Sequence, residues 1–202
     1  MTIKATSVLS IAAIWGAIIP AVVLHDGGWW AIIFAALATA AIGASAWRRL
    51  GLSRLIAIAG TWGGASAAIA AHESATWISV FAFLTTGAVV YSSMRRGAIP
   101  AGLGIATAWA VTGAATYRND EAAWIAVFAF LTAGSVANNK GGRNGFIAII
   151  AWAAAGAVMI WQDSWYPLSV LAFLASAISF GRPSFPRRIE WDLFERDEKG
   201  FD

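Results

Sequence analysis

Long apolar runs without Asp, Glu, Lys or Arg alternate along the chain with short charged segments. Eight such runs occur, at residues 5–25, 27–47, 55–72, 74–94, 97–117, 122–139, 144–161 and 164–181. A bilayer core of about 30 Å is crossed by roughly 20 apolar residues in a helix. The two-residue alternation of a membrane barrel strand is not evident, and backbone groups in lipid must bond within their own segment. The pattern predicts an all-α polytopic membrane protein with eight transmembrane helices.

The composition supports this class and argues against several others. The chain has 202 residues, of which 59% are hydrophobic and 12% charged. A soluble domain carries about 25% charged residues, so the chain has too few polar groups to cover a surface in water. This argues against a soluble enzyme, a disordered chain and a nucleic-acid-binding domain. The absence of cysteine excludes disulfides, thiolate nucleophiles and cysteine-ligated clusters.

The segments between the runs alternate in the sign of their charge. One set is basic and contains no acid: Lys4, Arg48, Arg49, Arg54, Arg95, Arg96, Lys140, Arg143, Arg182, Arg187 and Arg188. The other set contains Asp26, Glu73, Asp120, Glu121 and Asp163, with Arg118 as its single base. Because basic loops stay in the cytoplasm, we expect both termini to be cytoplasmic and the acidic turns to face outward. The expected location is a prokaryotic cytoplasmic (inner) membrane.

An internal repeat relates four parts of the chain. Trp15, Trp62 and Trp109 are spaced by 47 residues, and Trp152 follows after 43. The same offsets relate the acidic residues of the four outer turns. The repeats cover about residues 5–50, 51–97, 98–143 and 144–182, and each is predicted to be one two-helix hairpin. Four parallel hairpins related by an axis along the membrane normal would form one bundle over residues 1–182, as a closed ring or an open arc.

The layout of each predicted hairpin resembles a known family of membrane proteins. Gly60 and Trp62 lie in a first helix, a short turn follows, and Ala75 and Trp77 open the second helix. Ala122, Ala123 and Trp124 repeat this arrangement. The layout resembles the SPW-repeat proteins of bacteria and archaea over most of the chain, although the Ser-Pro-Trp triplet occurs in none of the four copies. The resemblance implies a membrane-embedded repeat fold and assigns no catalytic residue, because no activity is established for that family.

The twelve tryptophans fall mainly into two groups. Seven lie near the ends of the runs, as in the aromatic belt of a membrane protein: Trp29, Trp30, Trp47, Trp77, Trp124, Trp161 and Trp165. Trp15, Trp62, Trp109 and Trp152 instead lie about 15 Å below the outer surface, near the middle of the bilayer. There each indole N–H needs a hydrogen-bond partner. Two interpretations are open: packing between helices with a bond to a carbonyl, Ser or Thr, or an aromatic-lined cavity for a lipid, quinone, carotenoid or other flat apolar molecule.

The two histidines, His25 and His72, occupy equivalent positions before the acidic residues of the first two outer turns. One interpretation is a helix cap at the level of the lipid headgroups. The other is a ligand of haem or chlorophyll, which makes both histidines candidate cofactor-binding residues. A zinc site usually needs three or four protein ligands, so no metal site is predicted. The sequence requires no cofactor.

The apolar runs lack the groups that transport and catalysis commonly use. No Asp, Glu, Lys or Arg lies inside any run, whereas ion-coupled transporters and proton relays place such groups within the membrane. The two histidines lie at one rim without a Ser or Cys constellation, so a nucleophile and its base are missing. We therefore expect no enzymatic activity.

The C-terminal tail, residues 183–202, differs in composition from the bundle and is expected in the cytoplasm. It contains four large apolar residues, Ile189, Trp191, Leu193 and Phe194, and six acids from Glu190 onward. One interpretation is a short helix on the inner leaflet. The other is a docking segment for another subunit, which makes the four apolar residues candidate partner-binding residues.

These observations favour a non-enzymatic integral membrane scaffold or an accessory subunit of a larger membrane assembly. Its expected partners are the lipid bilayer and other membrane-protein subunits, and no nucleic acid. A binder of a lipophilic ligand or cofactor, using the four central tryptophans and the two histidines, is the first alternative. A passive pore for small neutral solutes along the pseudo-symmetry axis is the second.

Overall fold

The computed structural model describes most of the predicted bundle. The described residues are 5–24, 28–45, 50–92, 94, 98–138, 143–162 and 165–178. Within these segments the chain forms α-helices and short 3₁₀ helices and contains no strand. The predicted all-α class is therefore confirmed.

The described segments contain eight α-helices in chain order. They are α1 (Ala5–Val23), α2 (Trp29–Ala44), α3 (Leu52–Ala71), α4 (Ile78–Tyr91), α5 (Ile99–Arg118), α6 (Ile125–Asn138), α7 (Arg143–Gln162) and α8 (Leu168–Ile178). Two 3₁₀ helices, Glu73–Trp77 and Asp120–Trp124, lead directly into α4 and α6. The consecutive helices α1–α2, α3–α4, α5–α6 and α7–α8 each pack against one another, and we name them pairs one to four.

Six helical segments are long and apolar enough to cross a membrane. They are α1, α3, α5, α7 and the continuous segments Glu73–Tyr91 and Asp120–Asn138. The 16 residues of α2 span about 24 Å and the 11 residues of α8 about 16 Å, both less than a bilayer core of about 30 Å. The predicted eight helices are present, but two of them are shorter than the apolar runs suggested. The remaining residues of those two runs form turns or lie outside the described segments.

The turn between α3 and α4 and the turn between α5 and α6 have nearly the same backbone. His72 and Asn119 adopt extended conformations, with φ of −141° and −149°, and so end α3 and α5. The amide of Ala75 then donates to the carbonyl of His72 at 3.0 Å, and the amide of Ala122 donates to that of Asn119 at 3.0 Å. These bonds open the two 3₁₀ helices and return the chain toward the other end of the bundle.

The helices lie in two rows. The odd-numbered helices α1, α3, α5 and α7 pack side by side in one row, and the even-numbered helices pack side by side in the second. Within the described residues, no extensive contact joins α1 to α7 or α2 to α8. The rows are therefore open at both ends, and the arrangement is an open one and not a closed ring.

Glycines bring neighbouring odd-numbered helices into backbone contact. A Cβ atom added at Gly102 would collide with the carbonyl of Ser53, and one at Gly113 would collide with the backbone of Gly64. The order of these contacts shows that α3 and α5 run in the same direction. Gly145 of α7 contacts the backbone at the start of α5 in the same way, so α7 is parallel to both. Close approach through small residues is typical of helix packing in membranes.

Phenylalanine pairs link the even-numbered helices. The ring centroids are 6.0, 6.0 and 6.2 Å apart in the pairs Phe34–Phe83, Phe81–Phe130 and Phe128–Phe173. Each pair joins one even-numbered helix to the next, and the pairs repeat with the 47- and 43-residue offsets of the sequence. The same type of phenylalanine contact therefore joins each even-numbered helix to the next.

Candidate functional site: the central tryptophans and the terminal edge

The four central tryptophans lie on the odd-numbered helices, and three of them donate hydrogen bonds to threonines on the even-numbered helices. The side chains of Trp62, Trp109 and Trp152 are 0% exposed, whereas Trp15 is half-buried. The indole nitrogen Nε1 donates to threonine Oγ1 in Trp15–Thr39 at 3.1 Å, Trp62–Thr86 at 3.0 Å and Trp152–Thr132 at 3.1 Å. These bonds tie the two rows of helices together.

In pairs one and two the tryptophan and its threonine are 24 residues apart. Each threonine hydroxyl also donates to a carbonyl of its own helix at 2.9 Å, that of Ala35 for Thr39 and that of Ala82 for Thr86. Each threonine hydroxyl therefore accepts a hydrogen bond from the indole and donates one to the backbone carbonyl. This satisfies both polar groups without a solvent contact.

Trp109 of pair three departs from this arrangement. The residue 24 positions later is Ala133, which has no hydroxyl. The Nε1 atom of Trp109 is buried without a hydrogen-bond partner, and so is the Oγ1 atom of Thr85. An unpartnered buried donor costs about 1–3 kcal/mol, so Trp109 is an unfavourable point in the interior of the bundle.

The surroundings of the central tryptophans are those of packed helices. Because the side chains of Trp62, Trp109 and Trp152 have no exposed surface, no space that could hold a water molecule lies against them. A cavity for a flat ligand is therefore not formed against these three side chains. Trp62 and Trp152 join helices by hydrogen bonds, whereas Trp109 is buried without one.

Of the remaining predicted site residues, the structure describes only His72. His72 is half-buried at the end of α3 and its Nε2 atom has no hydrogen-bond partner, whereas His25 lies outside the described residues. In the described segments, no three His, Asp or Glu side chains form a group that could hold a metal ion. The predicted partner-binding residues of the tail lie outside the described residues: Ile189, Trp191, Leu193 and Phe194.

Six of the seven tryptophans near the helix ends are described and exposed, whereas Trp47 lies outside the described residues. Trp29 and Trp30 stack at 4.1 Å, and both are about half exposed. Trp77 and Trp124 each make an edge contact with a phenylalanine four residues later, both at 5.6 Å and 81°. This repeated contact fixes the orientation of two equivalent rings at the start of α4 and α6.

Arg54 has a structural role that the sequence pattern did not indicate. It was assigned to a basic loop, but α3 begins at Leu52, and the Arg54 side chain is buried in the first turn. Its Nη2 atom donates to the carbonyls of Ser92 at 2.9 Å and Met94 at 3.2 Å. The guanidinium thus binds the segment that follows α4. The charge pattern alone does not indicate this role, because it does not show that α3 begins before Arg54.

The exposed side of α7 and α8 forms a surface that we name the terminal edge. Between the two helices lies an open pocket of about 290 Å³ with purely apolar lining residues. They are Ala151, Ala154, Ala155, Val158, Leu168, Leu171 and Ala172. The edge thus combines small residues on α7 with leucines on α8.

The α7 part of the terminal edge corresponds to buried surface in the preceding pairs. Ala151, Ala154 and Val158 of α7 are equivalent by the 43-residue offset to residues of α5 that are buried: Ala108, Val111 and Ala115. The equivalent residues of α3 are also buried: Thr61, Gly64 and Ala68. On α7, however, Ala154 and Val158 are exposed, because no helix pair follows within the described part of the chain.

The chain matches no protein-family model, no curated protein and no solved structure. The resemblance to the SPW-repeat proteins therefore stays a prediction from the sequence. A function for this protein has to be argued from the arrangement of its own residues.

Proposed function

We propose that this protein is a non-enzymatic integral membrane scaffold, an accessory subunit that binds another membrane-protein subunit at the terminal edge. The observation that carries the proposal is the apolar pocket at the open α7 end of the helix rows, where α7 exposes positions that are buried by the next helix in α3 and α5.

The two ends can be compared position by position. Val8 and Ile19 of α1 are 50% and 51% exposed, and they occupy the positions of Gly102 and Gly113 in α5. Large flexible apolar side chains suit contact with lipid chains. On α7, Ala154 occupies the position of Gly64 and Val111, both of which are buried by the next helix, and Ile150, at the position of Gly60, is 69% exposed.

The chemistry of the terminal edge favours a protein helix as its partner. Helices associate in membranes through close backbone approach, which small residues permit, and not through a difference in hydrophobicity from lipid. The pocket between α7 and α8 is lined by Ala, Val and Leu alone. A partner helix with small residues on one face would fit this pocket, whose lining carries no charge.

We propose further that the four helix pairs are hairpin repeats with both termini in the cytoplasm. The repeated tryptophans, the repeated phenylalanine contacts and the parallel direction of α3, α5 and α7 support the repeat. The orientation is supported by the connecting segments, of which one set is basic and the other is acidic apart from Arg118. A scaffold is favoured over a ligand carrier or a pore because Trp62, Trp109 and Trp152 are fully buried between the two rows.

A photo-crosslinking amino acid at Ala154 tests the proposed interface in the native membrane. We expect one discrete protein adduct, because Ala154 is exposed at the centre of the α7 surface. Leu103, which is 43% exposed on α5 and outside the edge, is the matched control and should give lipid adducts only. The substitution Ala154→Leu should also abolish an adduct formed from a probe at Leu171, since it fills the space between them. Equal adduct patterns at Ala154 and Leu103, or no protein adduct at Ala154, would contradict the proposal.

A further inference from the structure

We infer that an open groove between α3 and α5 binds a phospholipid with a primary ammonium in its headgroup, with one acyl chain in the groove and the phosphate at Arg118. The groove has a volume of about 630 Å³ and reaches Tyr117, Arg118 and Ile160 at one end. The rest of its lining consists of small residues: Gly60, Gly63, Gly64, Ala67, Ala110 and Ala114. This surface differs from the terminal edge, so the inference does not depend on the partner proposed there.

The length of the groove matches one leaflet of a bilayer. Ala110 and Arg118 are eight residues apart in α5, which corresponds to about 12 Å along the helix axis. One leaflet contributes about 15 Å to a hydrocarbon core of about 30 Å. Two helical turns before Gly63 and Ala110, the larger side chains of Ile56 and Leu103 end the strip of small residues. The groove therefore suits the part of an acyl chain that is nearest to its headgroup.

Pair three places polar side chains at the end of the groove, where the other pairs have apolar ones. Tyr117 is 62% exposed, and Arg118 beside it is also exposed. The equivalent residues of the other pairs are Val23 and Leu24, Ala70 and Ala71, and Ile160 and Trp161. A guanidinium binds phosphate oxygens through two parallel hydrogen bonds, and a tyrosine hydroxyl can donate a third. An apolar groove that ends at a cation is complementary to an apolar chain that ends in an anionic group, as in a phospholipid.

The carboxylates that follow Arg118 select among phospholipids. Asp120 and Glu121 are exposed and lie two and three residues after it. Because like charges repel, these carboxylates disfavour a headgroup with a net negative charge, such as that of phosphatidylglycerol. In phosphatidylethanolamine the ammonium lies beyond the phosphate, so the guanidinium binds the phosphate while the carboxylates attract the ammonium. Charge complementarity therefore favours phosphatidylethanolamine.

Native mass spectrometry of the purified full chain tests the inference. The protein is titrated with phosphatidylethanolamine and, separately, with phosphatidylglycerol that carries the same acyl chains. We expect one molecule of phosphatidylethanolamine to bind, and to bind more tightly than phosphatidylglycerol. Arg118→Leu introduces the residue of pair one and should weaken phosphatidylethanolamine binding about tenfold, because charge-assisted hydrogen bonds to the phosphate are lost. Arg118→Lys, which keeps the charge but not the fork of donors, should weaken it less.

A second variant tests the groove itself. A Cβ atom at Gly63 would meet nothing within 4 Å, so Gly63→Leu can fill the groove without moving the backbone and should weaken the binding of both lipids. The control Gly87→Leu adds the same side chain to α4, at a glycine with equal space for a Cβ atom. The control Arg143→Gln removes an exposed arginine outside the groove. Both controls should bind phosphatidylethanolamine as the natural chain does, and thermal unfolding in detergent shows that each variant is folded.

Three results would overturn the inference. The first is equal affinity of Arg118→Leu and Arg143→Gln for phosphatidylethanolamine. The second is equal affinity of the natural chain for the two lipids. The third is a discrete protein adduct from a photo-crosslinking amino acid at Ala110 in native membranes, since a protein helix would then occupy the groove. None of the three bears on the terminal edge, whose test uses Ala154.

Discussion

The indole of Trp152 on α7 donates its hydrogen bond to Thr132 on α6, at 3.1 Å, and so joins pair four to pair three. In pairs one and two the corresponding bond stays within the pair, from Trp15 to Thr39 and from Trp62 to Thr86. By the repeat offsets, Trp109 and Thr85 are the residues equivalent to Trp152 and Thr132, and both have unpartnered polar atoms. The central hydrogen bonds thus differ among pairs that share one sequence pattern.

Supplying the missing hydroxyl should stabilise pair three. Ala133→Thr places a threonine 24 residues after Trp109, as in pairs one and two. We expect the free energy of unfolding to rise by about 1 kcal/mol, because the indole N–H gains an acceptor. Unfolding by sodium dodecyl sulfate in mixed micelles measures this change. Ala133→Val, which has the same shape without a hydroxyl, is the control, and an equal gain in that variant would contradict the hydrogen-bond explanation.

Removing an existing acceptor should have the opposite effect. Thr86→Val keeps the shape of the side chain but leaves the Nε1 atom of Trp62 without a partner. We expect a loss of about 1–3 kcal/mol in the free energy of unfolding, measured in the same micelles. The neighbouring change Thr85→Val removes a buried hydroxyl that has no partner, and it should leave stability unchanged or raised. Equal losses in the two variants would show that the indole bond has no net effect.

Two adjacent glycines should respond differently to alanine. A Cβ atom at Gly64 would collide with the carbonyl of Trp109, so Gly64→Ala should separate α3 from α5 and destabilise the bundle. A Cβ atom at Gly63 meets nothing within 4 Å, so Gly63→Ala should gain up to about 1 kcal/mol from helix propensity. Thermal unfolding in detergent compares the two variants. A similar loss at both positions would mean that the tight helix contact is not the cause.

Buried Arg54 should stabilise the end of pair two at which α3 begins and α4 ends. Arg54→Gln shortens the side chain and removes the bonds to the carbonyls of Ser92 and Met94. Since hydrogen bonds to charged groups contribute about 1.5–3 kcal/mol, we expect a loss of that order in the free energy of unfolding. Arg143→Gln, an exposed arginine at the start of α7, is the comparison and should change stability little. An equal loss of stability in Arg143→Gln would show that the change in net charge, and not the loss of the two hydrogen bonds, destabilises the protein.

The sequence pattern predicted the helices more fully than their contacts. Absence of charge and the tryptophan offsets predict eight helices, and the need of a buried indole for a Ser, Thr or carbonyl partner agrees with the bond from Trp62 to Thr86. The short length of α8 was not foreseen, because apolar turn residues extend the run beyond the helix. The open rows were not foreseen either, since a repeat defines equivalent neighbours but not whether the last pair meets the first. The terminal edge became visible only when the burial of α5 could be compared with the exposure of α7.

If the terminal edge binds a membrane-protein subunit, the complex extracted gently from native membranes is larger than the single chain. Three proteins are compared by native electrophoresis: the natural chain, Ala154→Phe at the edge and Leu103→Phe on the exposed side of α5. We expect Ala154→Phe to migrate as the lone folded subunit, whereas the natural chain and Leu103→Phe should migrate together as a larger complex. Migration of all three at one size, with Ala154→Phe still folded, would contradict it.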